Sequence, residues 1–408
     1  MIQKSQVFPK ENIGRFLNSE VGDKVAIMEV LIAPDSFKGN MSAPEVCDAI
    51  AEGVLWVDTG AAVRKVPLAD GGEGTAWAIT SATGGRFVST RVSGPLGKPV
   101  DAVFGLIDNG RVAALDMASA SGIELLRREE LNPMKTTSYG TGQLIAAALD
   151  SGAREIIIGI GGSATNDGGI GMLSALGFRL LDKQGKPLVQ GGEALAAIAS
   201  IDVSRADLRL KQTRIRVACD VSNPLLGPTG ASAVFGPQKG ATPEQVAALD
   251  AGLAKLAVAW IQAGLAADVT QNGDGAAGGV GAALRICLDA RMESGALLVM
   301  KYAGFFDALA HADLVITGEG MSDAQTADGK LCSVVARESR KAGVPVALLS
   351  GALGANPATL LNTFDYAASI ARGQTSLDAM IRDSRADLSF AAENLIRATR
   401  MFAGAASA

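Results

Sequence analysis

Six loops of the chain share one pattern, in which an acid or amide stands among small residues, mostly glycine. They are Asp35-Ser36-Phe37-Lys38-Gly39, Asp70-Gly71-Gly72-Glu73-Gly74, Gly161 to Gly169, Asp220 to Asn223, Gly273 to Gly281 and Gly318 to Asp323. Glycines let a backbone approach a ligand closely, and free N–H groups at a helix start attract phosphate. Carboxylates can ligate Mg²⁺ or take a proton, and lysines can hold a phosphate or carboxylate. Lys38, Lys239 and Lys330 are the lysines in glycine-rich loops. A single loop of this kind also serves as an ordinary helix cap. Six together point to metal-assisted phosphoryl transfer, whose demands are positioning, a metal on the phosphates, positive charge and a base for the acceptor.

The most informative loop is Gly159-Ile160-Gly161-Gly162-Ser163-Ala164-Thr165-Asn166-Asp167-Gly168-Gly169. It follows the apolar run Glu155 to Ile158 and precedes Ile170 to Leu176, so it reads as a glycine-rich turn between a buried strand and a short helix. Gly159-x-Gly161-x-x-Ala164, with Asp182 further on, fits a loose dinucleotide pattern, as does Gly273-x-Gly275-x-x-Gly278. An NAD(P)-dependent oxidoreductase of a small hydroxy acid is therefore one alternative. A non-enzymatic sugar-acid-binding protein is another. No GxxxxGK[ST], no protein-kinase signature and no GxSxG with a usable histidine is present. His311 is the sole histidine, which rules out chemistry needing a His pair.

Bulk properties narrow the class. The 408 residues exceed one ordinary core, so two domains are expected. With 48% hydrophobic and 19% charged residues the chain reads as globular. A net charge of −5 without a basic tract speaks against nucleic acid as partner, and no apolar run is long enough for a membrane span. Cys47, Cys219, Cys287 and Cys332 form no CxxC pattern and read as small buried residues of a cytoplasmic protein. Nothing in these features excludes a homodimer. Residues 1–27 read as a loose extension without the apolar core of a signal peptide, and Met28 is an alternative start.

Alternation of strands and helices positions these loops. Met28 to Pro34 and Val63 to Leu68 read as strands, each followed by a loop and a helix, the first helix starting at the capping box Ser42-Ala43-Pro44-Glu45 and running to Gly53. From residue 86 the texture changes to strands joined by turns, with the hairpin signal Asp108-Asn109-Gly110. Strands at Asp313 to Thr317, Val346 to Ser350 and Ala367 to Ile370 restore the first pattern. The expectation is an α/β protein: a doubly wound parallel sheet from 28–85 and 305–408, interrupted by a mixed-sheet α/β domain over 86–304.

At several of these loops the chain resembles the bacterial class I glycerate kinase family. The resemblance rests on Ala33 to Gly39, Ala69 to Thr75, Thr136 to Gly142 and Gly161 to Gly169. It continues through Ala218 to Val221, Asn223 to Gly227, Val234 to Ala241, Gly275 to Gly279, and Ile316 to Gly320 with Asp323, Gln325-Thr326 and Gly329-Lys330. These strings run in family order from about residue 28 to the C-terminus; the extension before Met28 is a departure. The resemblance implies a flavodoxin-like domain with an inserted second domain, and ATP- and Mg²⁺-dependent phosphorylation of D-glycerate, with 2-phosphoglycerate as product.

On this reading a cleft between the domains holds the site. Asp70 and Lys38 are catalytic candidates, with Asp70 as base, while Asp35, Ser36 and Glu73 meet the substrate. Gly161, Gly162, Ser163, Asn166, Gly275, Gly278 and Gly279 hold the nucleotide, and Asp167, Asp220 and Asp274 ligate the metal.

Overall fold

The computed structural model describes residues 27–323, 326, 330–373 and 376–406. Most of the expected N-terminal extension, together with Gln325 and Gly329, lies outside them. The chain divides into two compact units, Met1–Leu68 with Gly304–Ala408, and Ala69–Ala303.

In the first unit, the three inner strands are short runs of β-branched and aliphatic residues buried along nearly their whole length, as inner parallel strands require, and the two edge strands are more exposed. With strands numbered along the chain, they are β1 (Glu29–Ile32), β2 (Ala62–Lys65), β9 (Leu314–Thr317), β10 (Val346–Ser350) and β11 (Tyr366–Ser369). They pair in the order β11-β10-β9-β1-β2, all parallel. Two early strands and three late ones thus make one doubly wound sheet of flavodoxin-like order, with its switch point between β1 and β9. Val30, Ile32, Ile316 and Leu349 fill the core below the helices Ala43–Val57 and Leu377–Ala406.

The helix starting at Ser42 has the expected cap, with Glu45 Oε2 accepting from Ser42 N at 2.8 Å. It does not stop at Gly53 but continues to Val57. Gly53 is buried, and a Cβ there would collide with the Ser389 carbonyl of the C-terminal helix. This glycine serves close helix packing rather than termination.

The second unit carries β3 (Arg86–Ser93), β4 (Pro99–Ile107), β5 (Val112–Asp116), β6 (Glu155–Gly159), β7 (Arg214–Ala218) and β8 (Arg291–Glu293), in the order β8-β7-β6-β5-β4-β3. The β3/β4 and β4/β5 pairs are antiparallel and the rest parallel, so the sheet is mixed as expected. The β4–β5 connection has positive φ at Asp108, Asn109 and Gly110. Residues 69–85, which the sequence pattern assigns to the first domain, belong to this unit, because the helix Thr75–Ala82 packs on β4, β5 and β6. Charged β8 carries no alternating or apolar pattern and is invisible from sequence. The helix Pro243–Gln262 buries Leu249, Leu253, Leu256 and Trp260 against the core, as its periodicity predicts. Among the described residues no helix is long and apolar enough to cross a membrane.

Gly53→Ala is expected to destabilise the first unit by about 1–3 kcal/mol through overpacking against the Ser389 backbone. Urea unfolding measures this; an unchanged midpoint would show that the helices separate freely.

Candidate active site

The parallel strands of the second unit end in one row. Asp116 of β5 pairs with Gly159 of β6, Gly159 with Ala218 of β7, and Ala218 with Glu293 of β8. The Asp70–Gly74 loop runs across these ends. Gly71 has φ +87°, and a Cβ on it would lie 2.6 Å from the Ala218 carbonyl oxygen. A Cβ on Gly161 would lie 2.6 Å from Gly72 Cα, and Gly161 N donates to Gly71 O at 3.3 Å. Two glycine loops therefore touch backbone to backbone, which no larger residue permits.

Three carboxylates are fixed around this contact. Asp70 Oδ1 accepts from Gly72 N at 3.1 Å. Asp220, just past β7, accepts from Gly295 N at 3.1 Å and Ala296 N at 3.0 Å, capping the helix Gly295–Tyr302. Partial desolvation raises the Asp220 carboxyl above its ordinary range, and the charge of Asp70 adds to the rise. Asp116 accepts from Gly74 N at 3.0 Å and Ala76 N at 2.9 Å, at the start of the helix Thr75–Ala82. Burial pushes Asp116 up to about 7, and nearby Glu73 contributes. Asp70 is half-buried, whereas Glu73 and Asp220 are exposed.

The turn after β6 combines an open rim with a buried base. Gly162 is exposed with φ +70°, and its carbonyl accepts from Ile123 N at 2.8 Å. Ser163 is buried, and its Oγ accepts from Lys239 Nζ at 2.8 Å. Lys239, only 2% exposed, also donates to the Thr165 carbonyl at 2.6 Å. Burial pulls its ammonium down to about 7, partly offset by the charge of Asp167.

Several expected ligands lie below the rim. Asp167 is fully buried, and its two oxygens accept from Ser138 N and Oγ, Gly169 N and Gly171 N at 2.9–3.3 Å. It anchors the turn and has no geometry for a metal. Asp274 is buried in a two-point ion pair with Arg285, each contact 2.8 Å, and is likewise withdrawn from metal binding. Gly275, Gly278 and Gly279 are buried under neighbouring backbone, with Gly278 O accepting from Gly168 N at 3.0 Å. They buttress the turn instead of lining its open face. Asn166 is fully buried and donates to Ser232 Oγ at 3.0 Å.

In the first unit, the loops after β1 and β9 flank the switch point, where doubly wound sheets bind ligands. Asp35 N donates to Gly318 O at 2.9 Å, and buried Asp35 accepts from Ser36 N at 2.7 Å. Lys38 is exposed. Glu319 Oε1 is oriented by Ser322 Oγ at 2.8 Å and Thr326 Oγ1 at 2.7 Å. Cys332 lies beneath; burial, then Glu319 and Asp35, hold its thiol well above the ordinary value, which leaves it unreactive.

The glycerate kinase family matches residues 30–400. The chain belongs to the glycerate kinase family. A glycerate kinase of Bacillus subtilis (strain 168) is 49% identical over 326 residues, covering 80% of this chain and 85% of that one. A glycerate 2-kinase of Escherichia coli (strain K12) is 47% identical over 327 residues, covering 80% and 86%. The crystal structure assigned provisionally to glycerate kinase 2 of Salmonella typhimurium LT2 superimposes with a TM-score of 0.80 at 45% identity, covering 92% of this chain and 99% of that one.

Within this glycerate kinase family fold, the dinucleotide fingerprints lose their meaning. A dinucleotide turn passes straight from strand to helix, but here residues 160–169 separate β6 from the helix Ile170–Ala175. The pattern at Gly273 follows no strand. Asp116 escaped the sequence reading, and Glu319 and Lys239 lay in loops it singled out without being assigned to the site. Asp116 and Glu319 each stand at or just past a strand end, the same signal that marks Asp35 and Asp220. Lys239 carried no signal separating a buried amine from a surface one.

Unfolded, Asp116 titrates near 4; folded, about 7. The folded state thus binds the extra proton between these values, so the stability it confers is full below pH 4 and is lost as pH rises through 7, by on the order of 4 kcal/mol. Asp116→Asn should abolish this component. Compared from pH 4 to 8, the unfolding free energy of the parent should fall relative to that of the variant by on the order of 4 kcal/mol; a constant difference would refute it.

Proposed function

We propose that this chain transfers the γ-phosphoryl group of ATP to D-glycerate, giving 2-phosphoglycerate, in the cytoplasm where ATP is available. Membership of the glycerate kinase family carries this reading, with near-half identity to glycerate kinases over most of both chains. The turn at Gly161, Gly162 and Ser163, exposed at Gly162, offers backbone and hydroxyl donors at a strand end, suited to the nucleotide phosphates.

Asp70 is assigned as the base that accepts the proton of the attacking glycerate hydroxyl. Its oxygen at Gly72 N is fixed, so the carboxylate is held in orientation before substrate arrives. Glu73, exposed on the same loop, is assigned to the hydroxyls of glycerate.

Mg²⁺ usually binds through one or two protein carboxylates plus substrate phosphates, not a full protein cage. Among the described residues no group of three or more His, Cys, Asp or Glu is gathered to hold a metal, which accords with that habit. Of the three acids expected from sequence, exposed Asp220 fits this role, and Asp167 and Asp274 do not. The ion would neutralise charge building on the transferring phosphoryl group.

An ADP-release assay with D-glycerate, followed by NMR of the product, tests the reaction and the position of the phosphate. Asp70→Asn should lower kcat about 100-fold or more with little change in melting temperature. Near-parental turnover would remove Asp70 as base, and absence of ADP release with the parent protein would remove the activity.

A further inference from the structure

Lysine is almost never fully buried unless paired with an acid, because desolvating an ammonium is costly. Lys239 nevertheless ranks among the largest fully buried side chains of this chain. Its hydrogen-bond acceptors are neutral: Ser163 Oγ at 2.8 Å and the Thr165 carbonyl at 2.6 Å. The nearest counter-charge, Asp167, spends its oxygens on Ser138, Gly169 and Gly171. The turn after β6 therefore has a lysine amine built against its inner side, its charge disfavoured by burial, and its outer side at Gly162 is open.

The donor inventory gives this charge a direction. An ammonium only donates, so Ser163 Oγ must act as acceptor toward Lys239 and its own hydrogen must point elsewhere. Among the described residues the only hydrogen bond of Ser163 Oγ is the one it accepts from Lys239. A hydroxyl polarised by a cation, beside an exposed glycine amide, is a prepared donor for an anion.

We propose that Lys239 is a positioning residue of the kinase reaction: it holds Ser163 as a hydrogen-bond donor to a phosphate of the bound nucleotide and sets the turn that presents it. This rests on the reading that Gly161, Gly162 and Ser163 hold ATP. Lys239 does not touch the nucleotide; it acts through Ser163. Methionine matches the length of its stem without the charge, and removal of a buried ammonium leaves no carboxylate that was hydrogen-bonded to it.

The test compares Lys239→Met, Ser163→Ala, the double variant and Gly162→Val, with KM for ATP, KM for D-glycerate, kcat and melting temperature measured for each. Loss of one charge-assisted donor should raise KM for ATP about tenfold to a hundredfold in each single variant of Lys239 and Ser163. KM for glycerate should stay within about twofold, and the double variant should be no worse than either single one, since both act through one bond. Parallel rises in both KM values, multiplying effects in the double variant, or an unchanged KM for ATP in Ser163→Ala would each overturn the proposal, the last even if Lys239→Met fails to fold. Gly162→Val separates the two layers. If it raises KM for ATP and the other variants do not, the lysine role alone fails. If it leaves KM for ATP unchanged, the turn does not hold nucleotide and both ideas fall.

Discussion

The second unit depends on a contact between two stretches of bare backbone. Gly71-Gly72 lies across Gly159 and Gly161 so closely that a methyl group on Gly159 or Gly161 would strike its backbone, and one on Gly71 would strike the Ala218 carbonyl. This contact places the 70–74 loop over the strand ends, and from there the remaining geometry follows. Gly74 and Ala76 come to Asp116, which starts the next helix. Asp70 comes near enough to Asp220 for one charge to affect the other. Glycine is destabilising in the unfolded chain's accounting because it has most freedom to lose, so such a density of glycine at one place costs stability in exchange for approach.

A second ordering is electrostatic. Acids of this unit fall into two kinds by what surrounds them. Asp167 and Asp274 are enclosed and fully engaged by amides, a hydroxyl or a guanidinium. Asp70 is half-buried, and Glu73 and Asp220 are exposed. The first kind holds loops in shape, and the second borders solvent. Residue type cannot tell them apart, because an aspartate near glycines looks the same in both settings.

This marks how far the sequence could be read. Periodicity and turn residues located both sheets, since Val30 to Ile32 or Ile156 to Ile158 can be little else than buried strands. The loops that gather at strand ends were likewise legible, because glycine beside an acid is conspicuous. Burial within those loops was not. Whether Asn166 or Lys239 faces solvent is decided by Ser232, Ser163 and Thr165, contacts made across tens of residues. The domain boundary moved for a similar reason: the helix Thr75–Ala82 follows β2 in the chain but packs on strands that come later.

The way the first unit is assembled from both chain ends has a consequence for synthesis. Thr317 Oγ1 donates to Ala33 O, a partner 284 positions earlier, and β9 to β11 supply most of the sheet. As the chain emerges from a ribosome at about 5–20 residues per second, β1 waits many seconds for its β9 partner. The intervening unit is contiguous and can close first. A growing chain therefore carries β1, with its apolar Val30, Leu31 and Ile32, without its β9 partner while its middle is already folded, and the burden of avoiding aggregation falls on that interval.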